Sequence, residues 1–183
     1  MFAAEGTMIK VVGGIYRSRN LEVPETLTVP TKSRVREAIA SSLLGRLEGA
    51  VVADIFAGSG AMGIEFLSRG ARKAYFIEKD THDVIRRNLT TLKETNGVVL
   101  PCDFREGIRR IEEPLDIVFL DPPYAMKESY GEAIALLNQR GLLKEDTDIL
   151  IEFEGDTPSI PDEFAIIKEK RYGYTRVSYI RKV

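Results

Sequence analysis

The sequence predicts an α/β fold, with an open and mostly parallel sheet of seven strands closed at one edge by a C-terminal antiparallel hairpin. A small N-terminal β-hairpin precedes it. Three observations carry this reading. The apolar run Val51 to Ile55 enters a Gly58-Ser59-Gly60 turn and then a helical stretch from Ala61, which is the opening unit of a nucleotide-type fold. Strand-length apolar runs then alternate with helical periodicities, so the strands must be parallel. The last two runs, Phe164 to Arg171 and Thr175 to Arg181, are joined only by Tyr172-Gly173-Tyr174, too short for a crossover, and so must be antiparallel.

Taken in order, Met1 to Thr7 reads as a loose leader, with Met8 as a second candidate start. Met8 to Val12 and Ile15 to Val23 form a hairpin about Gly13-Gly14, and Pro24 and Pro30 bracket an extended connection. Thr31 to Ser33 can cap a helix from Arg34 to Leu47, whose Val35, Ala38, Ile39, Ser42 and Leu43 share a face. Strand Val51 to Ile55 follows Gly49, and a helix runs from Ala61 to Arg69. Next come strand Lys73 to Ile77 and a helix from Thr81 to Thr95, capped by Asp80 and stopped by Asn96-Gly97. Strand Val98 to Cys102, a short helix near Arg105 to Ile111, strand Asp116 to Leu120, a helix from Tyr130 to Gln139 and strand Asp148 to Phe153 complete the alternation.

Composition narrows the class. With 183 residues, 44% of them hydrophobic and 30% charged, the chain suits one soluble domain with a modest appendage. No apolar run nears the roughly 20 residues that span a bilayer, and no basic region with an apolar core marks a signal peptide. The lone Cys102 excludes an internal disulfide, fits a reducing cytoplasm, and cannot make a zinc site with the single histidine, His82. Charge is uneven: Met8 to Arg36 carries six basic and two acidic residues, Lys168 to Val183 six and one, and residues 37–167 carry 14 and 24. Basic ends on an acidic middle suggest a polyanion at one face, although two solvated hairpins with ordinary surface charge would look the same.

Asp54, Glu78, Asp103 and Asp121 each fall at or just after the C-terminal end of an expected strand, the edge where open parallel sheets bind ligands. There an acid can meet an amino group, a ribose diol or an exocyclic amine. Acids also start solvated turns, so each alone means little; four in register behind a glycine turn favour a nucleoside-containing cofactor. Gly58-Ser59-Gly60-Ala61-Met62-Gly63 matches the dinucleotide fingerprint, with Glu78 20 residues past Gly58, so an NAD-dependent oxidoreductase is a rival. Against it stand the charge of Asp54 near a pyrophosphate and the motif Asp121-Pro122-Pro123-Tyr124. Prolines hold a rigid turn whose carbonyl, beside a carboxylate, can accept both hydrogens of an amine on a flat base, and Tyr124 can stack on that base.

From Met8 onward the chain resembles the bacterial S-adenosylmethionine-dependent methyltransferases that modify the exocyclic amine of a guanine in small-subunit (16S) ribosomal RNA. The resemblance rests on Gly13-Gly14 with Arg17 and Arg19, Pro30-Thr31 with Arg34-Val35-Arg36-Glu37-Ala38, Asp54 to Gly60, Glu65 to Ala71, Glu78, and Asp121 to Tyr124. Ala40 and Ser41-Ser42 depart from it, standing where a large aromatic and a polar-aromatic pair are expected. It implies a Rossmann-like class I methyltransferase domain over 34–183, with 1–33 as leader and basic hairpin extension. It implies cofactor contacts at Asp54, Phe56, Gly58, Gly60, Glu78 and Asp103, and target-base contacts at Asp121, Pro122 and Tyr124. Arg17, Arg19, Arg34 and Arg36 would hold RNA, with helix-surface ion pairing as the plainer role for the last two. The expected enzyme is a cytoplasmic monomer that needs no metal, because a sulfonium methyl is already activated. Its partner is ribosomal RNA or the assembling small subunit. Methyltransferases acting on adenine or glutamine share the motif and remain alternatives.

Overall fold

The structure, a computed structural model, describes residues 7–25 and 33–183. The expected leader up to Gly6, the connection about Pro30 and the cap at Thr31 lie outside the described residues. Strands β1 (Met8–Lys10) and β2 (Asn20–Glu22) pair antiparallel, with Ile9 opposite Leu21, as a separate two-stranded sheet. Then follow α1 (Ser33–Ser42), β3 (Val51–Ile55), α2 (Ala61–Ser68), β4 (Lys73–Ile77), α3 (His82–Leu92), β5 (Gly97–Leu100), α4 (Phe104–Arg109), β6 (Leu115–Leu120), α5 (Ser129–Gln139), β7 (Leu143–Glu154), β8 (Phe164–Tyr172) and β9 (Thr175–Lys182). The main sheet has the order β5-β4-β3-β6-β7-β9-β8. Strands β3 to β7 are parallel, and β9 is antiparallel to both β7 and β8. This is the expected architecture, with strand order reversing beside β3.

Both faces of the sheet are covered, so the central strands are apolar almost throughout. Alternation along each strand sorts side chains between two cores. Val52, Ala74, Phe76, Phe119 and Leu150 pack with α1, α2 and α3, while Val51, Ala53, Ile77, Val118 and Leu120 pack with α4 and α5.

Several boundaries differ from expectation for identifiable reasons. Helix α1 stops at Ser42, whose hydroxyl turns back to the Ile39 carbonyl and also meets the Tyr179 hydroxyl; Ala40 is fully buried in the core. Asp80 does not cap α3. Its own N–H, with that of Thr81, donates to Glu78 Oε1. The helix ends at Lys93 in the left-handed region, before Asn96-Gly97. Gly97 instead opens β5, where a Cβ would lie 2.8 Å from Leu89. Strand β7 begins at Leu143, five residues before the expected Asp148, because the Thr147 hydroxyl bridges the Lys144 N–H and the Leu115 carbonyl.

The N-terminal hairpin is shorter in its strands than expected because residues 11–19 serve another purpose. Helix α2 is buried on every side, and the hairpin covers its outer face. The fully buried Glu65 carboxylate accepts the backbone N–H groups of Val12 at 3.0 Å and Gly13 at 2.9 Å, and pairs with Arg69 at 3.0 Å. Ser68 donates to the Gly13 carbonyl and accepts from the Tyr16 N–H. On α3, the Asn88 side chain exchanges two hydrogen bonds with the Glu22 backbone, and Arg87 pairs with the Glu22 carboxylate. Buried polar groups need such partners, and these join segments more than 50 residues apart.

Candidate active site

The sheet register brings the candidate residues together. Leu100, Ile77, Ile55, Leu120 and Ile151 lie in one row across β5, β4, β3, β6 and β7. The next row toward the carboxyl edge therefore holds Glu78, Phe56, Asp121 and Glu152. Asp54 lies one row inside, opposite Phe76 and Phe119.

Phe56 turns the chain out of β3 with a left-handed φ of 64°, a costly conformation for a non-glycine residue. Its ring packs against Phe104 at a centroid distance of 5.0 Å and walls the edge. Gly58 and Gly60 continue the turn at φ of 58° and 80°. Gly63 has a different purpose: a Cβ there would lie 2.4 Å from the Phe76 ring, so its absence lets α2 pack closely on β4.

The turn is braced by three side chains. Glu78 Oε2 accepts the Gly58 N–H at 2.8 Å, the Thr81 hydroxyl donates to the Gly58 carbonyl, and Asn88 Nδ2 donates to the Ser59 carbonyl. Asp54, 1% exposed, accepts the Gly63 N–H at 2.9 Å and so steadies the start of α2. Burial pushes the Asp54 carboxyl up to about 7; the Gly63 N–H opposes the shift, and the charges of Glu78 and Glu152 add to it. Asp103 caps α4 through the Arg105 N–H at 2.9 Å and remains part-exposed.

Asp121 follows β6 directly and is part-exposed, and Pro122 behind it is buried. The Pro123 carbonyl accepts the Met126 N–H at 2.8 Å, so it is not the free acceptor that two successive prolines suggested. Among the described residues no donor reaches the Pro122 carbonyl. Tyr124 opens a short 3-10 turn and is 84% exposed, with its ring presented to solvent.

Glu152 escaped the sequence reading. It is a buried acid beside Asp121, and its signal is a lone charge inside the apolar run Ile149 to Phe153. Tyr130, on α5, donates to its backbone carbonyl. The Tyr130 hydroxyl is pushed up by burial and by the charges of Asp121 and Glu152.

The four arginines expected at RNA separate. Arg34 is exposed in the first turn of α1. Arg36 is 1% exposed and donates to the Lys10 carbonyl at 2.7 Å. Its guanidinium is held down by burial and supported by the charges of Glu65 and Glu152, so it braces the interior and presents no surface for a phosphate. Arg17 and Arg19 are exposed, but Arg19 donates to the Thr91 carbonyl at the end of α3, and the neighbouring Tyr16 N–H donates to the last residue of α2. Helix α2 starts at the glycine turn, so the Tyr16 contact lies a helix length from it, roughly 12 Å, whereas Arg19 meets Thr91 about one helical turn beyond Asn88, which bonds the Ser59 carbonyl.

Comparison with known proteins places this geometry. A family described as Conserved hypothetical protein 95 matches residues 9–181. The chain is 36% identical over 170 residues to Ribosomal RNA small subunit methyltransferase D of Escherichia coli, covering 90% of this chain and 85% of that one. It is 33% identical over 180 residues to the Haemophilus influenzae protein of the same name, covering 93% and 91%. The solved structure of the Escherichia coli protein yhhF, named as a candidate methyltransferase, superposes with a TM-score of 0.85 at 34% identity, over 97% of this chain and 99% of that one. The fold is thus that of a Rossmann-like methyltransferase, and the chain belongs to the Conserved hypothetical protein 95 family, the family of the ribosomal RNA small subunit methyltransferases D.

Proposed function

We propose that this protein transfers a methyl group from S-adenosylmethionine to the exocyclic N2 amine of a guanine in small-subunit ribosomal RNA. The observation that carries the reading is the adjacency of Asp121 and its proline turn, with exposed Tyr124, to the braced turn between Asp54 and Glu78 on the next strand. The names of the relatives supply the substrate class.

The residues fit such a cofactor. A carboxylate offers about four acceptor positions. Glu78 uses one on Oε2 for Gly58 and two on Oε1 for Asp80 and Thr81, which leaves one for a ribose hydroxyl. Phe56 and Phe104 provide an apolar wall for a flat base, Asp103 a part-exposed acceptor beside it, and Gly58 a backbone without a Cβ. Asp54, next to the turn, is suited to an ammonium group. The cofactor supplies a methyl group already activated on a sulfonium.

The chain then has to hold an amine in line with that methyl group, and alignment alone contributes several kcal/mol. Asp121 and the Pro122 carbonyl accept the two amine hydrogens, which orients the nitrogen lone pair and stabilises the positive charge that grows on nitrogen. Asp121 need not be a strong base, because the alkylated ammonium is acidic and loses its proton readily. Tyr124 stacks on a guanine drawn out of its helix. Arg34, exposed at the start of α1, would hold the adjoining backbone; Arg17 and Arg19 on the hairpin would meet another part of a large substrate.

The test is methyl transfer from labelled S-adenosylmethionine to naked small-subunit ribosomal RNA, to small subunits and to DNA, with mapping of the product nucleotide. Label on N2 of a guanine in the RNA is the expected result. Label only on DNA or protein, or tight NADH binding without S-adenosylmethionine binding, overturns the proposal.

A further inference from the structure

The tip of the β8–β9 hairpin stands beside the site and has no part in the reaction described above. Ile151 lies opposite Leu120 at the end of β6 and opposite Ser178 on β9. The β7–β9 pairing continues three residues further, to Glu154 opposite Thr175. The Tyr172-Gly173-Tyr174 turn therefore rises about 10 Å beyond the end of β6, on the same side as Tyr124.

This tip is internally bonded and basic. Tyr172 packs against the core, and Gly173 takes a φ of 63°. Arg176 lies 5.0 Å over the Phe153 ring, donates to the Gly155 carbonyl and pairs with Glu169. Arg171 stands directly across from Arg176, whose charge Glu169 offsets, and Arg171 Nε donates to the Gly173 carbonyl at 3.0 Å while its guanidinium stays exposed. Lys168 to Arg176 holds four basic residues and one acid. Tyr174, at the apex, is 84% exposed, the same value as Tyr124. Of the arginines expected to grip RNA, Arg36 is buried and Arg19 is engaged with the Thr91 carbonyl, and this tip adds exposed cations beyond the end of β6.

We infer that the β8–β9 tip is a second RNA contact, in which Tyr174 stacks on a base flanking the target nucleotide and Arg171 holds its phosphate. This rests on the proposed RNA substrate. A cationic surface with an exposed aromatic is the pattern that binds single-stranded RNA, through phosphate contacts and stacking. With Tyr124 on one side and Tyr174 on the other, the tip would keep the strand splayed while the target base is held at Asp121.

The experiment uses the full chain, naked small-subunit ribosomal RNA and isolated small subunits. Tyr174→Ala should raise the Kd and KM for RNA about tenfold. The kcat, S-adenosylmethionine affinity and Tm should stay unchanged, and Tyr174→Phe should restore binding. Arg171→Glu should weaken binding and make the salt dependence shallower by about one phosphate contact. Unchanged Kd and KM in both variants, with an active wild type, would overturn this inference alone. A wild type that methylates no RNA would remove the proposed substrate and this contact with it. Exposed Ile167 on the outermost strand offers the competing use of this edge as a contact between two copies. Dissociation of a wild-type dimer by Tyr174→Ala, seen by sedimentation, would also overturn the RNA contact.

Discussion

The Glu78 carboxylate accepts the Gly58 backbone N–H at 2.8 Å, so the acid that ends β4 holds the glycine turn that leaves β3. One side chain thereby shapes the turn and faces the ligand edge. Glu78→Ala should weaken S-adenosylmethionine binding by about 1.5–3 kcal/mol, the range for a hydrogen bond to a charged group. Glu78→Gln should retain part of it, because the amide oxygen can still accept the Gly58 N–H. Calorimetry on the two variants checks this; equal affinity in wild type and Glu78→Ala would show that the acid serves the turn only.

Asp54 makes the site sensitive to pH. Its carboxyl is raised from an ordinary 3.8 to about 7, so between these values the folded chain keeps a proton that the unfolded chain has released. Its stabilising contribution is complete below about pH 4 and is lost as pH rises through 7, an effect on the order of a few kcal/mol. Asp54→Asn should flatten the dependence of Tm on pH across that window. If an ammonium group of the cofactor lies near Asp54, binding favours the charged carboxylate and releases a proton. Affinity should then climb from pH 6 to 8 in the wild type and not in Asp54→Asn, as measured by titration calorimetry in buffers of different ionisation enthalpy.

Glu65 is a fully buried acid whose partners are the Val12 and Gly13 N–H groups and Arg69. Removing one side of such an arrangement leaves the other uncompensated, at about 3–5 kcal/mol. Glu65→Ala should lower the unfolding free energy by that amount and release the hairpin from α2. Denaturant unfolding reads the first effect, and faster hydrogen exchange at the Val12 and Gly13 amides reads the second. Deleting the hairpin outright should likewise expose α2 and destabilise the whole chain, so Arg17→Glu and Arg19→Glu are the cleaner tests of RNA contact there.

Asp121 and Tyr124 separate chemistry from scaffolding. Asp121→Ala should lower kcat about 10²–10³-fold, the scale for losing one preorganised group, with cofactor affinity retained. Asp121→Asn should be milder, since an acceptor remains. Tyr124→Ala should cost about 1–3 kcal/mol in RNA binding through lost stacking, and Tyr124→Phe should be close to neutral. Because Tyr124 is exposed, neither Tyr124 variant should change Tm. Single-turnover rates and melting curves on the four variants decide the matter; near-normal turnover in Asp121→Ala would remove the role assigned to it.

Much of this architecture is written in short-range patterns. The alternation of apolar strands with helices, the glycine turn after Asp54 and the tight Tyr172-Gly173-Tyr174 turn each act within a few residues, and the sheet follows from them with its order and hand constrained. The acids at strand ends were legible for the same reason: a parallel sheet brings all its carboxyl ends to one edge. Boundaries such as those of α1 and β7 were less legible, because Ser42 and Thr147 obtain partners on strands far away in sequence.

What the sequence by itself determined is therefore the sheet, the edge and the residue types gathered along it. What only the tertiary structure decided is which charges face water and which brace the interior. Arg34 and Arg36 are two positions apart on one helix, and similar in chemistry, yet the first is exposed and the second is buried against Lys10. Gly60 and Gly63 belong to one motif, yet the first shapes the turn and the second admits the Phe76 ring. Local propensity cannot separate such pairs, because burial and pairing depend on segments that meet only when the hairpin, the helices and the sheet pack together.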